Sequence, residues 1–248
     1  MDPLSFLAVF AIGIIAAFMG NFAGGGGGLL SIPLLIFLGL PPAIAVATNK
    51  FGALGVCGSA VYKFSKAKKI DFKNAAPFII ISVIGAAIGA NVLLTLDQAL
   101  LMKIIGVIIL LLLPAIFLKK DFGLKRNRVA KKGRTLGYMI YFCIAIYNGF
   151  MGAAAGLFSI FSLTRLFGYT LIESIALDKF VLLFNTIIAV IIFASAGIIN
   201  YEFGIAILLG MTVGGYFGAK TAIDKGNKYV KIAFGLVVFA SAIKLLFF

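Results

Sequence analysis

Gly24-Gly25-Gly26-Gly27-Gly28 is a run of five glycines set between two strongly apolar stretches. About 128 residues later the chain carries a diluted copy, Gly152-Ala153-Ala154-Ala155-Gly156. The continuations match as well: Gly28-Leu29-Leu30-Ser31-Ile32 in the first and Gly156-Leu157-Phe158-Ser159-Ile160 in the second. Small residues in succession free the backbone to leave helical geometry and let other groups approach it. Within a bilayer, such freed backbone persists only where protein or a water-filled cavity satisfies its polar groups. Two interruptions at corresponding places in two halves of an apolar chain are the pattern of a transport site.

Composition makes the bilayer the right frame. The chain has 248 residues, 62% of them hydrophobic and only 12% charged, against about 25% charged in a soluble domain. Apolar runs at 78–94, 104–118, 181–194 and 232–248 approach or reach the length that crosses a membrane. The first run, 4–19, follows only Met1-Asp2-Pro3 without a basic leader, so a retained helix is expected rather than a cleaved signal. Cys57 and Cys143 fall within apolar segments, where a cysteine behaves as a small hydrophobe, and they imply neither a disulfide nor a metal site. The chain has no histidine, which removes the commonest metal ligand and general base. No cofactor and no enzymatic activity are expected.

The net charge of +14 raises nucleic acid as a partner, but its distribution argues against it. Five basic residues lie in Lys63–Lys73, eight in Lys119–Arg134 and four in Lys220–Lys231, each stretch flanking apolar segments. That is the signature of cytoplasmic loops facing anionic lipid. Ten apolar segments are expected, at about 4–20, 27–39, 43–63, 75–95, 98–118, 135–151, 156–168, 171–196, 203–221 and 229–247. The polar stretch 119–134 divides them five and five. The expectation is therefore an all-α membrane protein forming one transmembrane domain over 1–248, with a first repeat over 1–118, a basic cytoplasmic linker over 119–134 and a second repeat over 135–248.

The two halves share an offset of 128 to 129 along their length. Lys50-Phe51 falls on Lys179-Phe180, Asp71-Phe72 on Asn200-Tyr201, Gly85 and Gly89-Ala90 on Gly214 and Gly218-Ala219, and Gly106 on Gly235. Five segments is an odd number, so tandem copies must be inverted across the bilayer. With every segment crossing, the three basic stretches and Arg165 fall on one side, which then holds 18 of the 22 basic residues. Both termini are accordingly expected outside. The conclusion is unchanged if the first two segments of each half form a re-entrant hairpin.

The second segment of each half is short. Residues 29–38 and 157–167 fall well below the ~20 apolar residues of a full crossing, and they read as half-helices meeting near the midplane. Pro33 is compatible with a helix start or a kink, and Phe161 replaces it in the second copy. For Gly85-xxx-Gly89 and Gly214-xxx-Gly218, close helix packing is the favoured reading.

Lys50 and Lys179 lie well inside apolar segments at equivalent repeat positions, preceded by Thr48-Asn49 and by Leu177-Asp178. Charges within the membrane face a cavity or a partner. A helix N-terminus presents free N–H groups and the positive end of a dipole. Two glycine-led helix starts and two lysines favour a small oxyanion near the midplane. The candidate substrate-binding set is Gly25, Gly26, Gly27, Gly28, Ser31, Thr48, Asn49 and Lys50 from the first half. From the second half it is Ala154, Ala155, Gly156, Ser159, Asp178 and Lys179. Asp178 and Glu173 do not bind an anion directly; Asp178 either balances Lys179 or relays a proton.

These features resemble the TauE/SafE sulfite exporter family. The residues that carry the resemblance are the glycine run after a first apolar segment, Pro33 behind it, Pro41-Pro42-Ala43 to Ala47-Thr48 opening the next helix, and the two-fold repeat over about 4–247. The resemblance implies a multi-pass plasma-membrane transporter of sulfite, organosulfonates or related small sulfur-containing anions, often exporting them. No Walker motif is present, so a coupling proton or ion, or the anion gradient with the membrane potential, must drive such transport. An inside-negative potential favours expulsion of an anion by about 2.3 kcal/mol per charge at 100 mV. An anion channel and an importer of a related oxyanion are the alternatives.

Overall fold

In the computed structural model, described for residues 3–24, 27–97, 123–126, 131–153 and 155–247, the chain is helical. In chain order the helices are α1 (Pro3–Phe22), α2 (Gly27–Phe37), α3 (Pro42–Lys66), α4 (Ala76–Thr95), α5 (Lys131–Phe150), α6 (Ala155–Leu166), α7 (Leu171–Ser195) and α8 (Tyr201–Phe247). Among the described residues, α1, α3, α4, α7 and the Tyr201–Ala233 part of α8 are long and apolar enough to cross a membrane. The expected fifth segment, 98–118, lies outside the described residues.

The short second segments are real. α2 has 11 residues and α6 has 12, about 16–18 Å of helix at 1.5 Å per residue, roughly half the hydrocarbon thickness. Pro33 sits inside α2 rather than at its start. Its ring removes one interior hydrogen bond and crowds the preceding turn. Gly24 and Gly152, the first glycines of the two runs, have φ of 79° and 76°. Each stands just past the end of an apolar helix in the left-handed conformation that glycine adopts without penalty.

One expectation needs correction. The basic stretch 220–231, expected as a loop, is helical on both sides of a break at Gly226, where φ is 80° and ψ is 174°. Lysine and alanine are good helix formers, so the ends of two apolar helices continue past the apolar belt until a single glycine turns the chain.

Packing crosses the two sequence halves. α1 lies against α8, where a Cβ at Gly13 would stand 2.8 Å from the Ile207 carbonyl and one at Gly218 would stand 2.5 Å from that of Phe18. α4 lies against α5, where a Cβ at Gly85 would stand 2.7 Å from that of Ala145. Gly89, Gly149, Gly210 and Gly214 are as tightly covered by the facing backbone. The first helix of each half thus packs on the fourth helix of the other. Edge-to-face aromatic pairs repeat this exchange: Phe51 with Tyr201 at 5.7 Å, and Phe72 with Phe180 at 5.0 Å.

At the N-terminus of α7 several charges converge. Thr170 and Glu173 form a capping box, each satisfying the backbone N–H of the other. The Arg126 guanidinium bonds Asp71 at 2.9 Å, lies 3.5 Å from Glu173 and stacks over Tyr169. The backbone N–H of Leu171 donates to the Gly123 carbonyl at 2.9 Å. Burial works against ionisation of Asp71, but hydrogen bonds from Asn74 and Arg126 overcome it and hold the carboxyl below its ordinary range. Burial pushes the Tyr169 hydroxyl up to about 12.

Candidate functional site

α3 and α7 each carry their lysine about two turns from the N-terminus, and both ammonium groups line one cavity. It has a volume of about 70 Å³ and is bounded also by Gly27 and Gly28, Asn49, Asn148, Gly152, Gly156 and Thr186. A water molecule occupies about 30 Å³ of liquid, so the space suits a compact ion rather than a bulky one.

Two helix starts meet here. A Cβ on Gly28, in the first turn of α2, would stand 3.1 Å from Cα of Ala153, just ahead of α6. Tyr147 on α5 fixes that junction by donating its hydroxyl to the Ala153 carbonyl. A Cβ on Gly152 would lie 3.1 Å from the Lys50 ammonium. Small residues at these places let three backbones and a charged group share a space that larger side chains would fill.

The two lysines are held differently. Lys50 donates to the side-chain oxygens of Asn148 at 3.1 Å and Asn185 at 3.5 Å. Asn185 spends its amide nitrogen on the Ser82 carbonyl at 3.0 Å, the Ser82 hydroxyl at 3.2 Å and the Ala145 carbonyl at 3.2 Å. Those carbonyls are acceptors only, so they dictate which end of the amide faces Lys50. Lys179 instead pairs with the neighbouring Asp178 carboxylate at 3.2 Å, with both side chains buried. Ser159 on α6 hydrogen-bonds Asp178, and Ser31 on α2 donates to the Asn49 side-chain oxygen. The half-helix serine thus holds the residue before the lysine in both halves, an amide in one and an acid in the other. Formally two cations line the cavity and one carboxylate stands behind it, a net charge of +1.

Of the residues expected from sequence, Gly27, Gly28, Asn49, Lys50, Gly156 and Lys179 line the cavity. Ser31, Ser159 and Asp178 stand immediately behind it, holding its lining residues. Ala155 is fully buried at the start of α6. Thr48 faces elsewhere, its hydroxyl accepting the Asn200 backbone N–H at 3.1 Å where α8 begins. Gly25, Gly26 and Ala154 lie outside the described residues. Sequence reasoning did not single out Asn148, Asn185 or Thr186. For Asn148 the available signal was an amide just ahead of the glycine run, and for Asn185 and Thr186 a polar pair about two turns beyond Lys179. The Thr186 hydroxyl lines the cavity without a nitrogen or oxygen partner, with the Cys57 thiol beside it. Among the described residues no group of His, Cys, Asp and Glu is placed to hold a metal ion.

Apolar helices of membrane-crossing length, interrupted around a cationic cavity, are the architecture of a multi-pass membrane transport protein. Over residues 9–245 the chain matches the sulfite exporter TauE/SafE family, and it belongs to that family. It is 31% identical over 249 residues to "Probable membrane transporter protein ORF9" of Sinorhizobium sp, covering 98% of this chain and 92% of that one. It is 27% identical over 247 residues to "Probable membrane transporter protein YfcA" of Escherichia coli strain K12, covering 100% of this chain and 91% of the relative. A third relative, "Probable membrane transporter protein" of Haemophilus influenzae, is 26% identical with 96% of its length covered. No solved structure matches the chain.

Proposed function

We propose that the chain is a secondary transporter that exports a small sulfur-containing anion, sulfite or an organosulfonate, by alternating access at this cavity. The observation that carries the reading is the Lys50 ammonium, buried in an apolar bundle on two neutral amides at the junction of two short-helix starts. A buried cation whose partners are neutral is incompletely compensated, and an entering anion completes it. The N-terminal N–H groups of α2 and α6 add donors and favourable dipoles, and Lys179, Asn148 and Thr186 complete the lining. The 128–129 offset, recurring in helix order and in cross-half packing, supports two inverted repeats moving against each other about this centre. The basic stretches support both termini outside.

The test is saturable flux in proteoliposomes. Sulfite, sulfate, thiosulfate and small sulfonates are offered with and without a pH gradient. Saturating uptake of a sulfur oxyanion that is lost in Lys50→Ala supports the reading. Flux linear in concentration would identify a channel, and flux untouched by the substitution would remove the cavity from the pathway.

A further inference from the structure

A second polar cavity, sharing no residue with the first, opens where α3 ends against α8. Its volume is about 200 Å³, and it is lined by Lys63, Lys66, Ala67, Lys220, Ile223 and Asp224. We infer that it binds the phosphate of an anionic phospholipid headgroup.

Three lysines against one aspartate leave a net charge of +2 in a recess about seven times the ~30 Å³ share of one water. A compact ammonium is a point donor suited to phosphate oxygens. One of these donors is already oriented: the Lys63 ammonium stands 3.5 Å from the Tyr216 hydroxyl and 4.6 Å from its ring centre. That contact holds Lys63 without neutralising it, because tyrosine is uncharged at neutral pH.

The position selects a lipid over a soluble anion. Lys63 and Lys66 close the last turn of the apolar helix α3, and Lys220 stands about one and a half turns before the Gly226 break in α8. Next to the cavity, Tyr62 and Phe217 are 58% and 52% exposed. Aromatic rings that flank a basic recess at the edge of an apolar belt sit at headgroup depth, with acyl chains running along the exposed α3 and α8 surfaces. Basic pockets between transmembrane helices recognise anionic headgroups in this way.

The experiment measures thermal unfolding of the purified full chain in a neutral detergent. Dioleoyl phosphatidylglycerol, dioleoyl phosphatidylcholine or inorganic phosphate is titrated in. Two double variants carry the same change in net charge: Lys66→Glu with Lys220→Glu in the cavity, and Lys68→Glu with Lys69→Glu on the exposed turn nearby. All four positions are exposed, so both variants keep the folded core.

Phosphatidylglycerol is expected to raise the unfolding temperature of the wild type while phosphatidylcholine and inorganic phosphate do not. The cavity variant should need about 30-fold more phosphatidylglycerol for the same effect, and the control no more than about threefold more. Equal losses in the two variants, or none in the cavity variant, would overturn the site. Protection by inorganic phosphate as strong as that by phosphatidylglycerol would overturn the lipid assignment.

Discussion

Lys50 and Lys179 occupy matching positions on α3 and α7, yet their surroundings differ by one functional group. Asn49 precedes the first and Asp178 the second, and in each half the serine of the short helix holds that residue. Lys179 is therefore balanced within its own helix, whereas Lys50 reaches across to amides on α5 and α7. Two matching helices place two cations, and a single amide-for-acid difference leaves only Lys179 with an ion-pair partner beside it in the chain. The first half should dominate anion binding.

Substitution of each lysine probes that difference most strongly. Lys50→Ala should weaken anion affinity by about 10- to 150-fold, the value of one charged hydrogen-bonding partner at about 1.5–3 kcal/mol, and Lys179→Ala by clearly less. Calorimetric titration of the purified variants reads both, and equal losses would remove the asymmetry.

Rigid packing at the cross-half seams is the next largest effect. Gly89→Ala presses a methyl group into the α5 backbone and should cost about 1–3 kcal/mol, seen as a lower unfolding temperature in detergent. Gly58→Ala, on α3 with open space around it, should be neutral or stabilising by up to about 1 kcal/mol. A similar response from both would mean that the seams are looser than the structure indicates.

Exchanging the preceding residue sharpens the comparison further. Asn49→Asp gives Lys50 an acidic neighbour like that of Lys179 and should lower anion affinity about tenfold, equivalent to about 1.4 kcal/mol. Asp178→Asn should raise it. Matching shifts of the same sign in the two variants would contradict the charge argument.

The smallest effect belongs to the cluster at the start of α7. The Asp71 carboxyl is held below its ordinary range, so its contribution is present above the unfolded pKa of about 3.9 and is lost as pH falls through the lower folded value. The Arg126 side chain is 55% exposed, and solvent screening limits the contribution to at most about 1 kcal/mol. Asp71→Asn should lower the unfolding temperature slightly at pH 7. The gap from wild type should shrink below about pH 4. A gap undiminished at pH 3 would point to packing rather than charge.

Much of this was legible in the sequence because the informative signals are local or periodic. The crossing helices α3, α4 and α7 announce themselves by apolar length, and the shortness of α2 and α6 by its lack. Lys50 and Lys179 stand out because charge inside an apolar run is rare. The partners of those charges were not legible. Asn148 and Asn185 reach Lys50 across 98 and 135 residues of chain, and a lone asparagine in an apolar helix reads equally well as helix-packing glue. Thr48 precedes Asn49 directly, but a helix turns about 100° per residue, which aims it at Asn200 instead of the cavity. Glu173, expected not to bind an anion directly, is a helix cap and a partner for Arg126.

The pairing of α1 with α8 has a consequence for how the chain is made. α1 is synthesised well before its partner: the groove that receives Gly13 belongs to Ile207 and Met211, almost 200 residues further on. At roughly 5–20 residues per second, the first helix waits about 10–40 seconds for the surface it fits. During that interval its small-residue face has only lipid or the insertion machinery for company. This contact therefore closes late in assembly. An N-terminal fragment ending at the linker would lack the partner of its own first helix.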